Sequence, residues 1–134
     1  MSKKILIADD EPNIVAAIEF LLTQGGSDVH TARDGNEALG LVERIVPDLV
    51  LLDVMMPQTS GYEVCQFIRK RHEWRHVKII MLSAKGRDVE VIKGLALGAD
   101  LYLTKPFSTR ELMTRIKELL DEESPPGTMQ ARRQ

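Results

Sequence analysis

Residues 47–57, Pro47-Asp48-Leu49-Val50-Leu51-Leu52-Asp53-Val54-Met55-Met56-Pro57, are the stretch that decides the fold. Four consecutive apolar residues run from Leu49 to Leu52, and a proline closes the stretch on each side. A short apolar run between such breakers predicts a strand that is buried on both faces, as in the middle of a parallel sheet. Asp53 then lies at the carboxyl end of this strand, the edge where open α/β sheets bind ligands. Taken alone, an aspartate here is more often the cap of the next turn, so the rest of the chain decides its role.

The composition indicates a single soluble domain. The chain has 134 residues, enough for one domain with its own core. Hydrophobic content is 43%, charged content is 28% and net charge is −2, which disfavours a protein devoted to nucleic acid. The lone Cys65 excludes an internal disulfide and fits a reducing compartment. The sequence shows no pattern of a signal peptide or membrane span, and we expect a cytoplasmic protein.

Four other segments also predict strands, and a helical pattern follows each of the five. The predicted strands are residues 5–8, 28–32, 49–52, 77–82 and 101–104. Alternation of strand and helix predicts an α/β fold with a parallel sheet covered by helices on both faces. Segments 28–32 and 101–104 are the more polar ones and should form the edges. This fits a doubly wound five-stranded sheet of order 2-1-3-4-5.

Several residues predict where helices begin and end. Pro12 suits the first turn of a helix, and Gly25-Gly26 should end it. Ser60 with Glu63, and Ser108 with Glu111, have the spacing of capping boxes. Gly94 lies inside the fourth predicted helix and costs ~1 kcal/mol relative to alanine, so this helix should be the weakest. We predict a domain over residues 1–122 and a flexible tail or linker over 123–134, which contains Ser-Pro-Pro-Gly.

Polar residues follow four of the predicted strands and should gather at one edge of the sheet. They are Asp9 and Asp10, then Asp53, Ser83 and Lys105. Three adjacent carboxylates repel one another unless a cation binds, and oxygen ligands favour Mg²⁺ (or Mn²⁺). Lys105 offers a point charge for a phosphoryl oxygen, and Ser83 offers a hydroxyl donor. Asp53 is then a candidate nucleophile that forms an aspartyl phosphate.

With these residues placed, the sequence resembles a bacterial two-component response-regulator receiver domain. The resemblance spans residues ~3 to ~121 and would be weak for any one motif alone. The matching features, in order, are Asp9-Asp10, Asp53-x-x-Met56-Pro57-x-x-x-Gly61, Ser83-Ala84 and Gly98-Ala99-Asp100-x-Tyr102-x-x-Lys105-Pro106-Phe107. The resemblance implies a flavodoxin-like (βα)5 fold and a phospho-accepting regulatory domain that is not an enzyme in the ordinary sense.

The resemblance also implies roles that the residues alone do not establish. Asp53 would accept a phosphoryl group from a phosphohistidine on a sensor histidine kinase or phosphotransfer protein. Ser83 and Tyr102 would form the switch, and the Lys105–Pro106 peptide bond would be cis. The face formed by helix 4, strand 5 and helix 5 would then control a partner or output domain. Without the family, Tyr102 is better interpreted as packing on an edge strand.

Three rival functions differ from this hypothesis at identifiable positions. A nucleotide-binding domain would have glycines after the first strand, where this chain has Asp9-Asp10-Glu11. A phosphohydrolase with an aspartyl nucleophile commonly has a second aspartate two residues later, and Met55 occupies that place. A receiver-like module that is never phosphorylated would not need the full set of site residues that is present here.

Two further sequence patterns concern the surface of the domain. Residues 69–76 are basic with one aromatic, and we interpret them as cations at a helix C-terminus, with neither nucleic acid contact nor zinc binding by His72 and His76. For oligomerisation, Asp100, Glu111 and Arg115 resemble the charged set of winged-helix DNA-binding regulators. Val91 and Leu101 depart from that set. We therefore expect at most a weak homodimer promoted by phosphorylation.

Overall fold

A computed structural model describes residues 2–84 and 88–121 of the chain. Five parallel strands form one sheet of order β2-β1-β3-β4-β5, which confirms the predicted topology. The strands are β1 Lys4–Ala8, β2 Asp28–Ala32, β3 Leu49–Asp53, β4 Lys78–Ser83 and β5 Leu101–Thr104. The helices are α1 Pro12–Gln24, α2 Gly35–Ile45, α3 Gly61–Lys70, α4 Asp88–Ala96 and α5 Thr109–Asp121, with a short 3₁₀ helix over His72–Trp74. The predicted boundary at residue 122 and the tail after it lie outside the described residues.

The apolar run of β3 is explained by the two helical layers that cover the sheet. Val50 and Leu52 point into the core layer that α2 and α3 complete. Leu49 and Leu51 point into the opposite layer, which α1 and α5 complete. All four side chains are fully buried, so both pleat faces of this strand have to be apolar. The strand therefore holds Asp53 on a rigid support between two cores.

The helix ends follow the predicted chemistry. Ser60 Oγ accepts a hydrogen bond from Glu63 N at 3.3 Å, and Glu63 Oε1 accepts one from Ser60 N at 3.0 Å, so the capping box of α3 is complete. Ser108 Oγ likewise accepts a hydrogen bond from Glu111 N at 3.1 Å at the start of α5. Gly98 follows α4 with φ of 111°, a left-handed conformation that suits glycine.

The basic segment after α3 packs onto the domain. The Arg71 guanidinium lies 4.5 Å from the centroid of the Trp74 ring and forms a 3.2 Å ion pair with Glu43. Trp74 is buried, so the one aromatic of the segment belongs to the core. His72 lies in the 3₁₀ helix and His76 lies beyond it, so the two do not share a helix face. Within the described ranges, no helix is long and apolar enough to cross a membrane.

Candidate functional site

Three aspartates meet at the carboxyl edge of the two central strands. Ala8 of β1 pairs with Leu52 of β3, so the next residues, Asp9 and Asp53, are neighbours. Asp10 joins them, and one carboxylate oxygen from each residue lies within 4.8 Å of the others. Within residues 2–84 and 88–121, no other group of three histidine, cysteine or acidic side chains has metal-binding spacing. The parallel register thus brings together the three predicted ligands.

The surroundings of these carboxylates fit a divalent cation. Asp9 and Asp53 are only 1% and 4% exposed, whereas Asp10 is open to solvent. Asp9 Oδ1 accepts a hydrogen bond from Glu11 N at 2.8 Å, and its buried Oδ2 lies 3.0 Å from the Lys105 ammonium. Asp53 Oδ1 accepts a hydrogen bond from Met55 N at 3.1 Å. Two buried carboxylates beside a third, solvent-exposed one suit the all-oxygen coordination of Mg²⁺.

Lys105 places its ammonium group among the acidic side chains. Its Nζ lies 3.0 Å from Asp9 Oδ2, 2.5 Å from Glu11 Oε1 and 3.4 Å from Asp53 Oδ2. The backbone of Lys105 is held next to β4, because Lys105 N donates a 2.7 Å hydrogen bond to Ser83 O. The Lys105–Pro106 peptide bond is cis, the geometry that the family resemblance implies. Lys105 therefore offsets part of the negative charge of the site.

The ionisation of the site reflects burial and crowding of like charges. Burial, followed by the charge of Asp9, raises the pKa of Asp53 from 3.8 to about 6, although Lys105 and the Met55 amide oppose the shift. For Lys105, burial alone would lower the pKa. Contacts with Glu11 and Asp9 and the charge of Asp53 outweigh burial and raise the pKa of the ammonium above its ordinary value. The lysine thus stays charged wherever the site operates.

Ser83 and Tyr102 lie on the two strands next to β3. Ser83 ends β4 and is fully buried, one residue past the pair formed by Asp53 and Leu82. Tyr102 lies across from Met81 on β5 and is 9% exposed. The structure therefore brings Ser83 to the acidic edge, while Tyr102 is set back from it under α4.

Sequence reasoning assigned no site role to Glu11 or Gly61. Glu11 was only part of an acidic run, and its ion pair with Lys105 depends on the distant strand β5. Gly61 lies so close to β3 that a Cβ atom there would be 2.4 Å from the carbonyl oxygen of Asp53. This contact explains why a glycine stands eight residues after Asp53 in the matching motif. The spacing between Asp53 and Gly61 is visible in the sequence, but only the fold shows that the glycine allows α3 to approach β3.

Comparison with known proteins agrees with this geometry. The family model described as the response regulator receiver domain matches residues 5–117. The receiver domain of response regulator 1452 from Francisella is 36% identical with a TM-score of 0.85, and the match covers 92% of this chain and 100% of that one. The BeF3-activated receiver domain of DrrB is also 36% identical, with a TM-score of 0.82 and coverage of 90% and 99%. A longer DrrB chain, a Thermotoga maritima OmpR/PhoB homologue, is matched over 54% of its length.

The chain belongs to the response regulator receiver domain family. Domains of this family are regulatory, phospho-accepting parts of two-component systems that bind Mg²⁺ at an acidic site and interact with histidine kinases or phosphotransfer proteins. The aspartate cluster of this chain is an acidic pocket of that type.

Proposed function

We propose that this chain is a signalling switch in which Asp53 accepts a phosphoryl group from a phosphohistidine on a sensor histidine kinase or phosphotransfer protein. The observation that carries the proposal is the position of Asp53 at the end of a fully buried strand, within 4.8 Å of the carboxylates of Asp9 and Asp10. Asp10 and Met55 are exposed, so the site is open to a protein-bound donor. In this proposal Asp9, Asp10 and Asp53 hold Mg²⁺ or Mn²⁺.

The reaction needs positioning and charge neutralisation more than covalent chemistry. A carboxylate oxygen of Asp53 forms the new bond to phosphorus while the bond from phosphorus to the histidine nitrogen breaks, and its electron pair returns to the imidazole. Asp9, Asp10 and Asp53 would hold the divalent ion, whose positive charge would screen incoming phosphoryl oxygens from the aspartates. Met55 N holds the attacking carboxylate in place. Lys105, which lies 3.4 Å from Asp53 Oδ2, is placed to contact a phosphoryl oxygen.

Intact-protein mass spectrometry with a small acyl phosphate donor tests the assignment of Asp53. A single phosphoryl adduct should form with Mg²⁺ and be absent from Asp53→Ala. Asp121→Ala, at the exposed end of α5, is the matched control and should react like the wild type. An adduct that persists in Asp53→Ala, or forms fully in chelator, rules out the assignment. Steady turnover of a phosphate ester would instead favour the phosphohydrolase.

Phosphorylation of Asp53 would change the surface of the domain through Ser83 and Tyr102. The added charge and acceptor oxygens would draw the Ser83 hydroxyl toward the phosphoryl group and bias a two-state equilibrium. The buried position of Tyr102 is the one that this mechanism assigns to the phosphorylated protein. The response should concentrate in α4 and β5, which we test by hydrogen exchange with and without a phosphoryl mimic. A response confined to α1 and α2 would refute this mechanism even if Asp53 is modified.

The output face combines exposed apolar side chains with charges that are partly engaged within the domain. Val89, Ile92 and Leu95 of α4 are 62%, 65% and 44% exposed. Asp100 Oδ2 accepts hydrogen bonds from Ile79 N at 2.8 Å and from Arg69 at 3.0 Å, so its charge is used inside the domain. Arg115 forms a 3.1 Å pair with Glu118. These contacts support the expectation of at most a weak homodimer promoted by phosphorylation, and a tight dimer of the unmodified protein in light scattering would contradict it.

A further inference from the structure

The side chain of Glu11 contacts Lys105 and does not cap the helix that follows it. Glu11 is the N-cap residue of α1, but its side chain makes no capping hydrogen bond. Polar side chains at N-caps commonly accept a hydrogen bond from the second or third amide of the helix. Here Glu11 Oε1 instead accepts a 2.5 Å hydrogen bond from Lys105 Nζ. The carboxylate of Glu11 is therefore directed at the acidic site.

The backbones of both residues are anchored where they meet. Glu11 N donates a 2.8 Å hydrogen bond to Asp9 Oδ1, and Glu11 O accepts one from Val15 N at 3.1 Å. Lys105 N donates its 2.7 Å hydrogen bond to Ser83 O at the end of β4. The two side chains thus pair across the carboxyl edge of the sheet from two fixed backbone positions.

The Lys105 ammonium lies closer to Glu11 than to the proposed nucleophile. Its Nζ is 2.5 Å from Glu11 Oε1 but 3.4 Å from Asp53 Oδ2. Glu11 is exposed and Asp53 is buried, so the shorter contact is with the more exposed carboxylate. Short charge-assisted hydrogen bonds are the strong ones. The contact with Glu11 therefore holds the ammonium at a distance from Asp53.

Asp9 and Asp53 also contact the Lys105 ammonium, and both have a second proposed task. They belong to the three carboxylates that would hold the divalent ion, whereas Glu11 does not. An ammonium group and a divalent cation at the same carboxylates repel each other. The contact with Glu11 is therefore the one that stays compatible with a filled metal site, until a phosphoryl oxygen competes for the ammonium.

We propose that Glu11 is a positioning residue for Lys105: its carboxylate holds the ammonium in the unphosphorylated protein and competes with the phosphoryl group for it. The inference rests on the proposed function in taking Asp53 as the phosphorylated residue and Lys105 as a contact of the phosphoryl oxygens. It adds a residue outside the metal-binding set that regulates the same site.

Loss of the Glu11 charge should change two affinities in opposite directions. The released ammonium should pair more strongly with Asp9 and Asp53, which weakens the binding of Mg²⁺. The same ammonium is freer to contact an anion bound at Asp53, which strengthens the binding of a phosphoryl mimic once Mg²⁺ is saturating. Each change should be about threefold, because a partly exposed ion pair contributes little free energy.

Titration of Glu11→Gln with two ligands tests the proposal. Glutamine keeps the shape of the side chain and removes its charge. Calorimetry measures the affinity for Mg²⁺, and NMR of the amides around Asp53 measures the affinity for beryllofluoride, a phosphoryl mimic, in saturating Mg²⁺. The variant should bind Mg²⁺ about threefold more weakly and beryllofluoride about threefold more tightly than the wild type. General damage to the site would weaken both, and any pattern other than the opposite pair of changes overturns the proposal.

Two controls separate the contact with Lys105 from the charge of Glu11 alone. Glu19→Gln removes an exposed carboxylate further along α1 and should leave both affinities unchanged. If it reproduces the pattern of Glu11→Gln, any negative charge on α1 has the effect and the proposal is wrong. In a Lys105→Ala background, Glu11→Gln should no longer weaken Mg²⁺ binding, because the two changes remove one shared contact. An equal loss without the lysine would show that Glu11 acts on the metal directly, which contradicts the proposal.

The contact itself can be tested without metal or phosphate. NMR of the lysine ammonium groups reports how fast their protons exchange with water. The protons of Lys105 should exchange about threefold faster in Glu11→Gln than in the wild type, because the ion pair that protects them is weakened. Exchange at the rate of the wild type would show that Glu11 does not hold the ammonium.

This inference and the proposed function fail in different ways. If the wild type neither binds beryllofluoride nor forms an adduct at Asp53, the phosphorylation proposal fails, while ammonium exchange and Mg²⁺ affinity still decide whether Glu11 holds Lys105. If the wild type and Glu11→Gln bind beryllofluoride equally well, the proposed function stands and the positioning role of Glu11 is refuted.

Discussion

Two neighbouring helices on one face of the sheet, α3 and α4, are held to the domain to very different degrees. Helix α3 starts with a complete capping box and buries Val64, Cys65 and Ile68. Helix α4 is one residue shorter than α3 and leaves Val89, Ile92 and Leu95 largely exposed. Local stability follows the apolar area that an element buries, so opening of α4 should cost much less free energy than opening of α3. The contrast separates a rigid support for Asp53 from a face that can move.

A matched pair of isoleucines gives the largest expected difference between the two helices. Ile68 of α3 is fully buried and Ile92 of α4 is 65% exposed. Ile68→Ala should lower the free energy of unfolding by about 2–5 kcal/mol because it leaves a cavity, whereas Ile92→Ala should change it by no more than about 0.5 kcal/mol. Urea unfolding of both variants measures the difference. Similar losses would show that α4 is as firmly packed as α3.

The buried charge of Asp53 at the end of β3 lowers the stability of the domain, although the neighbouring helix α3 is firmly packed. Burial and Asp9 raise the pKa of Asp53 to about 6, so its negative charge opposes folding at neutral pH. Asp53→Asn should therefore stabilise the protein in chelator, by up to about 3 kcal/mol at pH ~8. Unfolding of both proteins in urea, with chelator present, measures this gain.

The pH dependence of that gain follows from the sign of the shift. A group whose pKa is raised by folding contributes stability that is fully present below its ordinary pKa of 3.8 and is lost as pH rises through about 6. The advantage of Asp53→Asn should thus shrink as the pH falls from ~8 toward ~5. An advantage that grows toward acid pH would show that the charge of Asp53 is satisfied in the metal-free protein.

A pair of glycines tests whether α4 is weak by composition or constrained by packing. Gly94→Ala gains ~1 kcal/mol of helix propensity but places its Cβ atom 2.9 Å from the Tyr102 ring, so we expect a net loss of about 1 kcal/mol. Gly40 of α2 is the control, because a Cβ atom there meets nothing within 4 Å. Gly40→Ala should stabilise by about 0.5–1 kcal/mol. Stabilisation of similar size by both changes would show that the ring does not need the glycine.

The smallest expected change is in the Mg²⁺ affinity of a Lys105 variant. Lys105 follows β5 and reaches across to Asp53. Its ammonium contacts Asp9, Glu11 and Asp53, so it competes with a cation for the same carboxylates. Lys105→Ala should bind Mg²⁺ as tightly as the wild type or slightly more tightly, and should lose the response of α4 to phosphorylation. Calorimetric titration with Mg²⁺ and hydrogen exchange of α4 measure the two quantities. A large loss of Mg²⁺ affinity would mean that Lys105 organises the metal site.

The sequence by itself determined the layers, the strand order and the acidic edge. The apolar or polar character of each strand segment distinguishes central from edge strands, because a strand covered on both faces cannot carry polar side chains. In a parallel sheet all strands end at one edge, so the sequence alone places Asp9, Asp53 and Ser83 together. The caps at Ser60 and Ser108 were equally readable, because they depend on residues three positions apart.

Only the tertiary structure decided which side chains make contact across elements. The ion pair of Glu11 with Lys105 joins residues 94 positions apart, and no local pattern encodes it. Gly94 was interpreted as a defect of α4, whereas the fold shows that it makes room for Tyr102. Asp100 resembles a member of an interface charge set in the sequence, and only the fold shows that its carboxylate accepts hydrogen bonds from Ile79 N and Arg69. Periodicity and propensity act over a few residues, while packing and charge pairing depend on distances that exist only after the chain has folded.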